Sequence, residues 1–126
     1  MGIRKAFGNH AEDSTEISSI IDNRIFYKKL PDEPTYPCSS YFIVIGNSHH
    51  DINFAYPRIQ VDHWGKSPVV NLANAFKTVF NRFKGMLNNE IPVKQIELLK
   101  ENDPPYNNDE ELYRITQDFK IIYKEW

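Results

Sequence analysis

Cysteine is almost absent from this sequence: Cys38 is the single one in 126 residues. One thiol makes no internal disulfide and leaves a cysteine zinc site without ligands, which fits a reducing compartment. Basic charge is not in excess either. With 15 Lys and Arg against 17 Asp and Glu the net charge is −2, whereas binding to a phosphate backbone needs a basic surface. Nucleic acid is therefore not expected as a specific partner. No apolar run approaches the roughly 20 residues that span a bilayer, and the N-terminus has no signal-peptide core, so no membrane partner is expected. Glycine is sparse, with Gly46, Gly65 and Gly85 isolated from one another. Gly65-Lys66-Ser67 resembles the end of a phosphate-binding loop but lacks the upstream glycine that completes it.

What is present is the material of one globular domain. Apolar residues make up 40% and charged residues 25% of the chain, and this length buries roughly two-thirds of the unfolded surface. Aromatics are plentiful, with eight Phe, seven Tyr and two Trp, which suits a sheet-rich core and protein interfaces.

The chain is organised around a strand that turns directly into a helix. Residues 58–64 alternate Ile59, Val61 and His63 on one face with Gln60, Asp62 and Trp64 on the other. Gly65 permits the turn, Ser67 is expected to cap the helix and Pro68 to open it. Apolar residues then recur at Leu72, Ala73, Phe76, Val79, Phe80, Phe83, Met86 and Leu87, predicting one long helix over Pro68–Leu87.

Residues 1–13 are polar with little periodicity and read as a flexible or partner-ordered arm, leaving residues 14–126 as the single domain. A short helix is expected from Ser14, capped by Ser14 or Thr15, with Ile17, Ile20 and Ile21 on one face. With the organising strand extended to residues 54–64, strands are also predicted over residues 24–30, 41–45, 93–100 and 112–124. In residues 93–100, Val93, Gln95, Glu97 and Leu99 alternate against Lys94, Ile96 and Leu98. In the last strand Tyr113, Ile115, Phe119, Ile121 and Tyr123 share a face interrupted only by Gln117. The fold class is thus α+β: an antiparallel-rich sheet of about five strands packed by the long helix and a short N-terminal one. The expected core is Ile43, Ile45, Ile59, Val61, Leu72, Phe76, Val79, Phe83, Ile115, Phe119 and Ile121.

Candidates for chemistry are few. His49-His50-Asp51 carries metal-ligating groups, the basis of an alternative reading as a small metal-dependent hydrolase. Neighbouring side chains in an extended segment point apart, however, and no third histidine lies near. Asp62, His63 and Ser67 invite a triad, but Asp62 and His63 face opposite sides of their strand. No enzyme, catalytic residue, metal or cofactor is expected. The outward tryptophan Trp64 and the aromatic turn residue Tyr106 instead suit contacts with other chains.

The order of motifs from about Ser18 onward is distinctive. It runs Arg24-Ile25-Phe26-Tyr27, Pro31, Tyr36-Pro37, Tyr41-Phe42-Ile43-Val44-Ile45-Gly46 and Ile59-Gln60-Val61-Asp62-His63-Trp64. A Lys66-Ser67 turn, a long helix and Leu112-Tyr113-Arg114-Ile115-Thr116-Gln117-Asp118-Phe119-Lys120-Ile121-Ile122-Tyr123 follow. This pattern resembles the tail terminator or tail-completion (tail-to-head joining) proteins of long-tailed bacteriophages. The resemblance implies an α+β structural protein of the virion, assembled in the bacterial cytoplasm and located at the head–tail junction. It implies a homo-oligomer, a hexameric ring that ends tail-tube growth, with the tail tube protein and head–tail connector proteins as partners and DNA passing its lumen. The alternative placement is a head–tail adaptor or another minor virion protein. Interface residues expected on this reading are Trp64, Tyr106, Asp103, Asp109, His49 and His50.

Overall fold

The structure, a computed structural model, describes residues 3–48, 54–104, 108 and 111–124, and of residues 45–48, 54–56, 123 and 124 the backbone. The chain starts with a helix where an arm was expected. α1 (Ile3–Asp13) buries Ala6, Phe7, Gly8 and Ala11, a stripe at helical spacing in which only Phe7 is large. The small residues hide the stripe from a reading based on bulky hydrophobes, yet they let the helix lie close to what it covers. A Cβ at Gly8 would run into the Tyr41 hydroxyl, which donates to Arg4 O at 3.0 Å. α2 (Thr15–Ile21) follows and buries Ile17 and Ile21. Its N-terminal residue Ser14 makes no side-chain cap; the hydroxyl donates back to His10 O at 2.7 Å and closes α1 instead.

The strands are β1 (Ile25–Tyr27), β2 (Cys38–Ser48), β3 (Phe54–Gly65), β4 (Gly85–Leu87), β5 (Ile91–Asn102) and β6 (Tyr113–Lys124). They form one six-stranded sheet in the order β1-β2-β3-β6-β5-β4. β1 runs parallel to β2, and every other neighbouring pair is antiparallel. The fold is α+β, as the alternating strands and the amphipathic helix require.

α3 (Val70–Phe80) packs on the inner face of the sheet and is shorter than the predicted Pro68–Leu87. Its first turn has no side-chain cap, so Ser67 does not serve as one. Gly65 is needed for close approach: a Cβ there would lie 2.6 Å from Val69 Cγ1 and 2.9 Å from Ser67 O. At the other end the helix loses a competition with β5. Asn81 is extended and Arg82 has φ 67°. Arg82 N donates to Ile96 O (2.7 Å), Ile96 N to Phe83 O (2.9 Å) and Leu98 N to Asn81 Oδ1 (3.0 Å). The chain therefore exchanges helical hydrogen bonds for bonds to a strand edge, and Leu87 reaches the core from β4.

The core lies between the inner sheet face and the three helices. Ile59, Val61, Leu72, Phe76, Ile115, Phe119 and Ile121 are buried as expected, whereas Ile43, Val79 and Phe83 are only partly buried; the Ile45 side chain falls outside the described residues. Phe80 and Phe7, absent from that expectation, are its centre. Their rings stack with centroids 4.2 Å apart, with Phe76 and Phe119 at 5.8 and 5.9 Å from Phe80. In β5 the predicted alternation is broken by a register shift between Val93 and Gln95. The bulge turns both Val93 and Ile96 inward and leaves Leu99 48% exposed. Among the described residues no helix is long and apolar enough to cross a membrane.

Candidate functional site

Two polar groups sit back to back on the central strands. On the inner face His63 is fully buried. Its Nε2 lies 2.7 Å from Gln117 Oε1 and its Nδ1 lies 2.8 Å from Ser39 Oγ. Gln117 Nε2 donates to Ala73 O (3.0 Å) and to Glu101 Oε1 (2.8 Å). Those two acceptors fix the amide orientation, so Oε1 must be the atom facing His63. His63 therefore carries its proton on Nε2, and Nδ1 accepts from the Ser39 hydroxyl. Burial pulls the imidazole pKa from 6.5 down to about 4, against the opposing pull of the Gln117 hydrogen bond and the charges of Asp62 and Glu101.

Ser39 and His63 have the separation of a nucleophile and its base, but neither side chain is exposed at all, so no substrate reaches the pair. The structure also separates Asp62 from His63, as alternation demands: Asp62 projects from the opposite face.

There Asp62 Oδ1 accepts from Thr116 Oγ1 (2.6 Å), Arg114 Nη2 (3.0 Å) and Arg114 Nε (3.3 Å). The Arg114 guanidinium lies over the Trp64 ring, 4.8 Å from its centroid. Trp64 Nε1 donates to Ser40 Oγ at 3.3 Å. The cross-strand register explains the grouping, since Ser40 faces Asp62, Asp62 faces Thr116, and Trp64 faces Arg114. A polar cleft of about 380 Å³ adjoins it, lined by Gln60, Lys100, Asn102, Pro104, Arg114, Thr116 and Asp118.

Of the six residues singled out for contacts, Trp64 stands half-buried in this outer group. Asp103 is exposed just beyond β5 and lines a separate cleft with Val69, Val70 and Tyr113. His49, His50, Tyr106 and Asp109 lie outside the described residues, as does Asp51. Among the described residues no three His, Cys, Asp or Glu side chains converge as a metal site. The partners of Trp64 were not apparent in the sequence because Ser40 and Arg114 come from two other strands, β2 and β6. Gln117 did leave a signal, as the one polar residue on an apolar face.

No protein-family model matches the chain, and no curated protein matches its sequence. Its fold does match a solved structure. A chain in the virion of a native gene transfer agent (GTA) particle superposes with a TM-score of 0.72 at 10% identity, covering 97% of this chain and 94% of that one. The likeness is one of fold.

Proposed function

We propose that this chain is a structural protein of a phage-like virion, and within it a ring-forming protein at the head-proximal end of a tail that ends tube growth and joins tail to head. The observation that carries the reading is the near end-to-end likeness in fold to a chain of the gene transfer agent virion. The order of sequence motifs from Ser18 onward supports the finer placement. A role without catalysis agrees with the sealed Ser39–His63 pair.

On this reading the protein works by surface. Closed rings present one face to each neighbour, and a face that fits the connector but not another tube subunit stops growth. Trp64, Asp103, Tyr106, Asp109, His49 and His50 are the proposed contact residues, with the tube and connector proteins opposite them.

Deletion of the gene in the particle-producing strain tests this directly. Overlong tails that fail to join heads are the expected result by negative-stain microscopy. Tails of normal length detached from heads would favour the head–tail adaptor, and particles of normal form and transfer activity would overturn both readings.

A further inference from the structure

Among the described residues three large apolar side chains stand about half exposed: Val70, Met86 and Leu99. Leu99 is turned out by the register shift in β5 between Leu98 and Lys100. Val70 and Met86 project from regular elements, and they sit near opposite ends of β5. Met86 is the middle residue of β4 and pairs with Pro92 at the start of β5. Its neighbour Leu87 is buried in the core, so strand alternation sends Met86 outward. Arg82 and Lys84 precede it, both exposed and neither in an ion pair among the described residues; Glu90 stands apart on the hairpin turn.

Val70 opens α3 and lines a cleft of about 290 Å³ with Val69, Pro104, Tyr113 and Ile115. Asp103, just past the end of β5, is the one charged residue lining that cleft among the described residues. It is exposed and makes no ion pair among them. A second exposed carboxylate, Glu111, lies two residues before Tyr113. The chain thus carries a protruding apolar side chain beside positive charge, and an apolar recess beside negative charge. The two cannot meet inside one subunit. Lys84 adjoins Gly85, which pairs with Val93, and the strand from Val93 to Asp103 spans roughly 30 Å. That is several times the ~8 Å over which salt leaves exposed charges in contact.

We propose that Met86 of one copy enters the Val70 cleft of the next, with Arg82 and Lys84 set against Asp103 and Glu111, as a head-to-tail contact between neighbouring subunits. A second copy is the occupant because the chain supplies both halves of the match, apolar side chain to apolar recess and cation to carboxylate. An unbranched methionine adapts to an irregular recess better than a branched side chain does. A contact between unlike patches is heterologous, and it repeats around a ring when the rotation closes. The inference rests on the ring reading of the proposed function and deepens it: the contact role of Asp103 narrows to a neighbouring subunit, and Val70, Lys84 and Met86 join it.

Because Lys84 and Asp103 are out of reach of one another within a subunit, any coupling between them acts between subunits. Sedimentation of the full chain compares wild type with K84E, D103K and the double variant K84E/D103K. The wild type is expected as a closed assembly larger than a dimer. Each single variant brings like charges together and should weaken association about tenfold, whereas the double variant reverses the pair and should return to within about threefold of wild type. M86A tests the apolar half and should weaken association about tenfold with every charge in place. Far-UV circular dichroism identical to wild type certifies that the variants are folded. A wild-type protein that stays monomeric at its highest attainable concentration overturns the proposal. So do single variants that associate as well as wild type, or a double variant no stronger than the singles. Gene deletion reports on the virion role separately.

Discussion

A buried glutamine decides the protonation of a buried histidine. Because Gln117 spends both amide hydrogens on Ala73 O and Glu101 Oε1, it offers His63 only an acceptor. Gln117→Leu removes that acceptor and strands the His63 Nε2–H, while the Ala73 carbonyl keeps its place in the α3 ladder. At about 1–3 kcal/mol for a buried group left unpaired, the variant should lose about 1–3 kcal/mol, read from urea melts. The same site sets an acid limit. Folded His63, with its pKa at about 4 against an ordinary 6.5, holds fewer protons than the unfolded chain between those values. Stability is then complete above pH 6.5 and falls as pH drops toward 4, with a slope of at most about 1.4 kcal/mol per pH unit from this group. His10, also lowered by burial, works in the same direction. His63→Gln should flatten the decline between pH 6.5 and 4 relative to wild type. The inward position of His63 was legible in its strand's alternation. Its partners were not, because Ser39 and Gln117 are 24 and 54 residues away and only the sheet register brings them together.

Among elements, α1 departs furthest from expectation, and packing explains why. Its stripe is made of Ala6, Phe7, Gly8 and Ala11, which carry little hydrophobic weight but fit a helix against Tyr41, Phe80 and Phe119. Phe7→Ala should therefore cost about 3–5 kcal/mol, measured by thermal or urea unfolding, whereas truncating a frayed arm would leave stability unchanged. The turn before α3 is equally constrained. Gly65→Ala drives a methyl into Val69 and the Ser67 carbonyl and should lower stability by about 1–3 kcal/mol. The early end of α3 escaped the sequence because Phe83, Met86 and Leu87 continue a 3.6-residue period. Period describes one element at a time, and the bonds that end this helix belong to β5.

At the scale of the molecule, the α+β class, the long strands β3 and β6 and most of the inner face were visible as alternation, whereas β2 was legible only as the short apolar run of residues 41–45 and the alternation read in β5 is broken by its bulge. The parallel pairing of β1 with β2 and the coverage of the edges were not, since pairing partners are set by chain path rather than by local pattern. The proposed virion role rests at this scale as well, on a fold shared over 97% of the chain and on no single residue. The outer group of Trp64, Arg114, Asp62 and Thr116 then becomes the surface to test within an assembled particle. Arg114→Ala leaves the mostly buried Asp62 carboxylate, 9% exposed in its side chain, with Thr116 as its remaining partner here. A loss of about 1–3 kcal/mol is expected in unfolding experiments on the isolated protein.

The covered edge of β5 has a consequence in the language of step-growth polymerisation. A chain grows only through reactive ends, and capping an end stops growth there. With Asn81, Arg82, Phe83 and β4 lying along β5 as far as Leu98, that stretch of the sheet is a capped end. Uncovering it would make the end reactive toward strand addition, and aggregation into fibres would be the product.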